Sequence, residues 1–380
     1  MNNSVVWTES SKKGDKLIFS LSEETDVLLA YQRVLLPCSA GGLDPVSPAI
    51  PLNCLEAYVE FHPPSPQRDA PKPSELCKGC KEVIDKVKKL YNQTWKKHEE
   101  NSHRFRLQLR INCNGSNNAI VTQENTPVGS KIVSDKDRTV IPVTPELFSI
   151  LIKENPFSKK RWDTCSVVGN GGILTNSGCG KMIDSTDFVI RCNLPPLENE
   201  FKSDVGMKTN LVTANPSILT KKYGSLMARR RAFVDSLHQY GNSLLLFPCF
   251  SFGAYRAVCQ RAVYAIEDME ILIQPIFTNP QYLQSMDKFW KSQGVNERRP
   301  STGAYMISLA LELCETVHLY GFWPFSNHPY KLFPLTNHYY DNVPYDSRVH
   351  AMPDEFYYWV QLHNKGILKL HLEDCKSGQV

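Results

Sequence analysis

Two histidines on consecutive polar loops carry the first chemical hint in this 380-residue chain. His338 stands in Asn337-His338-Tyr339-Tyr340-Asp341, and His350 opens His350-Ala351-Met352-Pro353-Asp354-Glu355, so each has carboxylates close by in sequence. Imidazole titrates near neutral pH and a carboxylate neighbour raises its basicity, which suits a general base. A second feature is Arg299-Pro300-Ser301-Thr302-Gly303, directly before Tyr305, Met306, Leu309, Ala310 and Leu313 at helical spacing. Ser301 is then the expected N-cap, and the free amides of the first turn can receive a phosphate or carboxylate; a purely structural cap would use the same residues. A third feature is a pair of asparagines. Ser166-Val167-Val168 turns through Gly169-Asn170-Gly171-Gly172, and Phe188-Val189-Ile190 runs into Arg191-Cys192-Asn193, so two apolar runs each deliver an asparagine to a loop. In open α/β sheets ligands bind at the carboxyl ends of strands, although asparagine is also a common turn residue, and spacing leaves both readings open.

Other constellations are weaker. Tyr320-Gly321-Phe322-Trp323-Pro324-Phe325 follows an apolar run and suits either stacking on a ligand or core packing. Asp135-Lys136-Asp137 has the DxD spacing of metal-bridged diphosphate sites, but lies in a polar segment before the alternating part of the chain. A donor carrying a single phosphate needs less charge neutralisation, of the order that a helix amino terminus with a histidine can supply. Cys77-Lys78-Gly79-Cys80 has metal or redox spacing with no second pair to complete a zinc site; a disulfide with a neighbouring cysteine such as Cys113 is the more economical expectation.

The elements that must position these groups divide the chain into three. Residues 1–74 show no steady periodicity, and Pro63-Pro64-Ser65-Pro66 with Pro71-Lys72-Pro73 reads as an extended linker, so this part is expected to be disordered or a mis-annotated start. Residues 75–160 form a stem-like extension. Val83, Val87, Leu90 and Tyr91 predict an amphipathic helix from Glu75 to about Arg110, its Lys86, Lys88, Lys89, Lys96 and Lys97 lying on a solvated face. A short helix is expected at 145–153. Residues 161–380 alternate. Strands are expected near 166–168, 188–190, 210–213, 244–247, 270–277, 318–321 and 367–372, with helices at 225–238, 280–292, 302–315 and 354–365. Strands separated by helices predict a Rossmann-like α/β domain, with a mainly parallel sheet and helices on both faces.

Composition is that of a globular protein, 42% hydrophobic and 22% charged, and a net charge of +4 is too small to argue for a nucleic-acid partner. No run of about 18 apolar residues occurs, so neither a transmembrane helix nor a signal peptide is visible. Twelve cysteines and the sequons at Asn92 and Asn114 nevertheless point to a secretory lumen. The conflict favours an anchor missing from this amino terminus.

Four ordered blocks resemble the animal sialyltransferases of glycosyltransferase family 29, and within it the alpha-2,8-sialyltransferases. They are Cys165 to Asn193 continuing through Asp204-Val205-Gly206 to Asn215-Pro216-Ser217; Ser301-Thr302-Gly303 to Phe325; His338-Tyr339-Tyr340-Asp341; and His350 with Glu355. The resemblance covers about Cys165 to Cys375. It implies a metal-free, Rossmann-like variant of the GT-A type, no cofactor, and CMP-sialic acid as donor substrate. Asn170 and Asn193 would contact the donor nucleotide and phosphate, Ser301, Thr302 and Gly303 would bind it at the helix start, and Trp323 would line the cytidine and sugar pocket with Asn337 beside it. His338 would hold the phosphate leaving group and His350 would take the acceptor proton, in one inverting displacement. The resemblance also implies the disulfides Cys165–Cys314 and Cys179–Cys375, a Golgi membrane anchor with the catalytic domain in the lumen, and an acceptor that is a sialylated glycoprotein or glycolipid. Pro300 departs from the apolar residue usual in the family before Ser-Thr-Gly. Two other readings remain: a nucleotide-dependent oxidoreductase, weakly imitated by Gly169 to Gly172 with Asp187, and a sialoglycan-binding homologue without turnover.

Overall fold

The computed structural model describes residues 9–12, 17–19, 80–295, 300–343 and 353–375. The chain divides into Met1–Pro63 and Pro64–Val380. In the first unit two short strands, β1 (Glu9–Lys12) and β2 (Leu17–Phe19), pair antiparallel. All that follows concerns the second unit.

Its strands are β3 (Ile120–Val121), β4 (Lys131–Val133), β5 (Val140–Pro142), β6 (Trp162–Val168), β7 (Phe188–Arg191), β8 (Leu211–Thr213), β9 (Leu244–Phe247), β10 (Gln274–Thr278), β11 (Cys314–Tyr320) and β12 (Lys369–Leu370). Eight of them form one sheet in the order β12-β11-β6-β7-β8-β9-β10-β3, parallel throughout except for β3, while β4 and β5 make a separate antiparallel ribbon. The expected α/β architecture is therefore present. Both faces of the sheet are covered, which is why its strands are apolar runs rather than alternating ones. Along β7, Phe188 and Ile190 enter one core and Val189 the other; along β6, Cys165 and Val167 enter the first and Val168 the second.

Several expectations are corrected. The long amphipathic helix is two helices, Cys80–Leu90 and Glu99–Asn112, with a non-helical stretch between them; His98 caps the second through its ring nitrogen, which accepts the Asn101 amide. The polar stretch after Asn112, where only a short helix at 145–153 is expected, also contributes β3 to the sheet edge and all of β4 and β5. The expected helix to residue 315 stops at Leu313, because Cys314 already pairs with Trp162 as the first residue of β11. The expected strand from residue 270 begins only at Gln274, after Glu270 takes a left-handed turn. The helix Arg256–Asp268 was missed. Cys113 is buried and unpaired, its thiol pushed up to about 12 by burial, so it forms no disulfide with the stem. Cys77 and its neighbours lie outside the described residues.

Three disulfides are formed among the described residues. Cys165–Cys314 and Cys179–Cys375 span 149 and 196 residues, and Cys249–Cys259 closes a short loop after β9. Closing loops of the first two lengths restricts the unfolded chain by about 5 kcal/mol each in the chain-entropy account.

Helix Thr302–Leu313 is tied down near its end by a buried carboxyl. Glu312 accepts the Gly115 amide at 2.7 Å, and burial raises its pKa to about 7 against the pull of the Gly115 and Ser116 amides. Its ordinary value is 4.5, so as pH rises from about 4.5 the unfolded chain releases this proton while the folded chain retains it. Stability should fall across that window, by about 3 kcal/mol once pH passes the folded value. Glu312→Gln keeps an acceptor for Gly115 and should remove this part of the slope. Thermal unfolding measured between about pH 5 and 8 checks it, and an unchanged slope in the variant would refute the assignment.

Candidate functional site

From β6 the chain proceeds outward through β7, β8, β9 and β10, then returns to place β11 and β12 on the other side of β6. The strand order thus reverses between β6 and β11, and the crevice beyond their carboxyl ends is where such sheets bind ligands. Register keeps these ends level, with Tyr320 opposite Val168 and Val168 opposite Arg191. Helices between parallel strands run back down the sheet, so the start of helix Thr302–Leu313 lies at this same edge.

The loop after β6 passes very close to its neighbours. The Gly171 amide donates to Gly321 O at 3.1 Å, and a Cβ on Gly172 would stand 2.3 Å from Thr336 O. Only glycine allows that approach. It brings the segment Thr336–Tyr339 against the loop, where the Tyr339 amide donates to Asn170 O at 2.9 Å and Gly171 bridges to His338. The glycines therefore assemble the site by backbone packing.

Asn170 reaches across to β7, its Nδ2 donating to Cys192 O at 2.8 Å, while its Oδ1 is buried without a hydrogen-bond partner. Asn193 adopts a left-handed φ of 60°, tolerated by asparagine. Its amide donates to Thr213 Oγ1 at 2.8 Å and its Oδ1 accepts the Asn215 amide at 3.0 Å. Asn215 Oδ1 in turn accepts from Thr302 Oγ1 at 3.3 Å. A polar chain thus joins the ends of β7 and β8 to the helix start.

Ser301 is the helix N-cap, its Oγ accepting the Ala304 amide at 3.0 Å. Its own amide and hydroxyl both donate to Glu355, each at 2.7 Å. The side chain of Ser301 is thereby spent on positioning, and Thr302 and Gly303 follow it in the first turn, where helix amides are without intrahelical partners. Gly303 is held against a ring, since a Cβ there would lie 2.6 Å from Phe322 Cε1.

His338 Nδ1 lies 2.5 Å from Asp341 Oδ2, and Asp341 Oδ1 accepts the His338 amide at 3.1 Å. The imidazole also stacks on Tyr340, with centroids 5.1 Å apart and planes 2° from parallel. Asp341 thus fixes the orientation of the ring through Nδ1. Asn337 sits beside it, its amide donating to Val343 O at 2.8 Å and its Oδ1 buried without a partner. Trp323 is part of the wall. Its Nε1 donates to Asn327 O at 2.8 Å and its ring packs edge-on to Phe325 and Phe356. His350 lies outside the described residues.

Sequence reasoning gave no role to Asn215, Arg191 or Glu355. Asn215 carried a usable signal, being a third asparagine just past a strand. Arg191 is fully buried at the end of β7, its Nε and Nη2 donating to Lys208 O at 3.1 and 2.8 Å, which fastens the loop before β8.

Asp187 and the Asp135-Lys136-Asp137 sequence are engaged in structural contacts. Asp187, the acidic residue of the oxidoreductase reading, accepts the Thr164 amide and hydroxyl, both at 2.9 Å, at the amino end of β7 and away from the crevice. Asp137 of the DxD sequence accepts the Thr139 and Gly253 amides, which hold its carboxyl below the usual range, and Lys136 bridges to Asp287 at 2.8 Å. Among the described residues no group of three or more His, Cys, Asp or Glu could hold a metal ion. Cys192, beside the site, has its thiol pushed up to about 12 by burial and is no thiolate nucleophile.

Residues 115–367 match the family model described as Glycosyltransferase family 29 (sialyltransferase). The human protein named alpha-2,8-sialyltransferase 8F is 42% identical over 74% of this chain and 71% of its own. An alpha-N-acetylneuraminide alpha-2,8-sialyltransferase of Xenopus tropicalis is 41% identical over 79% and 86%. A solved mammalian sialyltransferase is 20% identical over 79% and 87%, with a TM-score of 0.39.

The geometry separates two positions, Asn193 at the carboxyl end of β7 and Asp187 at its amino end. Asn193→Ala should weaken binding of cytidine monophosphate by on the order of tenfold, the loss of a buried charge-assisted or polar network contact. Asp187→Asn should leave that binding unchanged. Calorimetric titration of both variants decides it, and equal effects would place the ligand elsewhere.

Proposed function

Because this chain belongs to glycosyltransferase family 29, the sialyltransferases, we propose that it transfers sialic acid from CMP-sialic acid to the terminal sialic acid of a glycoprotein or glycolipid glycan in alpha-2,8 linkage. The alpha-2,8 specificity rests on the names of its relatives. The observation that carries the chemistry is the polar chain Asn193–Asn215–Thr302 ending at an open helix amino terminus, with the His338–Asp341 pair on the adjoining loop.

In the proposed reaction the donor's phosphate and carboxylate are held by the amides of Thr302 and Gly303, with Asn170, Asn193 and Asn337 around the nucleotide and the Trp323 wall beside it. The acceptor hydroxyl oxygen forms the new bond to the anomeric carbon as the bond to the phosphate oxygen breaks, inverting the configuration. His350 takes the hydroxyl proton and His338 stabilises the departing CMP phosphate. No metal is assigned a step, because one phosphate monoester leaves and the helix end and imidazole meet its charge. The fold is proposed to be the Rossmann-like variant of the GT-A type.

The enzyme is proposed to act in the Golgi lumen, anchored to the membrane. The three disulfides among the described residues suit an oxidising compartment. Among the described residues no helix is long and apolar enough to cross a membrane. Both sequons are proposed to carry glycans. Asn92 is the more accessible: it is exposed, with its Oδ1 accepting from the Thr94 amide and hydroxyl, whereas Asn114 is half-buried and its Oδ1 accepts from Ser116 and Asn117.

The test is transfer from CMP-sialic acid to a sialylated oligosaccharide with and without a chelator. Full activity with chelator is expected, and His350→Ala should abolish transfer by more than about a hundredfold while retaining CMP binding. Activity lost to chelator and restored by manganese would refute the metal-free step, and binding without any turnover in the unaltered protein would identify a sialoglycan-binding homologue.

A further inference from the structure

The ribbon of β4 and β5 has one face that the proposed reaction does not use. Ile132 and Ile141 point inward and are buried, while Val133 and Val140, directly opposite each other across the ribbon, are 37% and 54% exposed. Lys131 and Pro142 are the next opposed pair on that outer face, both exposed, and Val128 just before the ribbon is 50% exposed. Scattered surface valines are ordinary, but a directly opposed pair continued by a proline is a contiguous apolar strip. Native ribbons usually carry polar residues there.

The strip is joined to the catalytic edge by a series of polar contacts. At the ribbon tip the Lys136 amide donates to Ser251 O at 3.1 Å, and Asp137 accepts the Gly253 amide at 2.9 Å, so the tip is seated on the loop that Cys249–Cys259 closes after β9. Lys136 Nζ continues to Asp287 Oδ2 at 2.8 Å, and Asp287 Oδ1 accepts from Tyr305 OH at 2.7 Å. Tyr305 is one turn from Thr302 on the same helix. Ribbon, clipped loop and donor helix thus form one rigid edge.

We infer that the outer face of this ribbon is a docking surface for the lipid bilayer that carries the acceptor, so that the enzyme works on glycolipids in place. Two observations select this occupant. Lys131 beside the valines and Arg138 at the tip are exposed cations, complementary to the sialic acid carboxylates that sialylated glycolipid head groups themselves present. A second copy of the chain is a poor fit, because a few small side chains fall far short of the roughly 800 Å² per partner of a stable interface. Shallow apolar groups flanked by basic ones are instead what interfacial membrane contact uses.

The inference rests on the sialyl-transfer reading and is tested apart from it. Transfer is measured with the full chain on a sialylated oligosaccharide in solution, and on the same glycan as a glycolipid in phosphatidylcholine–phosphatidylserine vesicles. The double variant Val133→Asp, Val140→Asp should lose about tenfold in kcat/KM on the vesicle acceptor and in vesicle co-sedimentation, while staying within about twofold on the soluble one. Val133→Thr, Val140→Thr keeps β-branched residues and serves if the aspartates impair folding; it should give the same direction with a smaller loss. Equal losses on both acceptors, no loss on vesicles, or a change in sedimenting mass in place of vesicle binding would each overturn the inference. Absence of transfer to either acceptor by the unaltered protein would overturn the sialyl-transfer reading, and this inference with it.

Discussion

The carboxylate of Glu355 accepting both protons of Ser301 is the contact on which the remainder of the site depends. A serine N-cap commonly keeps its hydroxyl proton exposed to water; here it is committed, and so is the amide. The helix start is thereby fixed from outside the helix, by a buried residue of helix Pro353–Asn364. Two consequences follow. The first turn of that helix, Thr302 and Gly303, is in turn held by Asn215 and Phe322. And helix Pro353–Asn364 is locked through Glu355 to the start of helix Thr302–Leu313, so the two helices share a common frame. Preorganisation of this kind lets hydrogen bonds act on developing charge without first spending energy on reorientation.

That frame is reinforced covalently and by packing. Cys165–Cys314 ties β6 to the first residue of β11, the two strands on either side of the switch point, and Cys179–Cys375 ties the helix that follows the β6 loop to the chain end beyond β12. Trp290, almost fully buried, packs edge-on to Phe289, Tyr358 and Trp359 and donates its Nε1 proton to Ser308 Oγ at 2.9 Å. This aromatic group joins helix Pro280–Ser292 to the helices carrying Ser301 and Glu355. Edge-to-face contacts of this sort contribute about 1 kcal/mol each beyond the area they bury.

Legibility in the sequence followed the range of the interaction. Helix Pro280–Ser292 and strand Leu244–Leu245-Leu246-Phe247 were readable because their periodicity and their boundary residues are local: Asn279 caps the helix and Pro280 occupies its first turn. The Ser301 cap was readable for the same reason. Helix Arg256–Asp268 escaped because much of its buried face is Ala262, Ala265 and Cys259, which announce burial weakly. β3 was invisible because two residues become a strand only by pairing with Phe277 and Thr278. The His338–Asp341 contact spans three residues and was suggested by adjacency, while Ser301 and Glu355 are separated by 54, and nothing local couples them.

The Asp135-Lys136-Asp137 sequence shows how a catalytic-looking motif can act at a site without touching its chemistry. Its second carboxylate is occupied by backbone amides and its lysine by Asp287, so a shared cation between the two aspartates would have to displace structural bonds on both sides. The same bonds carry the ribbon tip to Tyr305, one turn from Thr302 at the start of its helix. Spacing singled out these residues; only their partners show that they fasten the ribbon tip to the loop after β9 and to helix Thr302–Leu313.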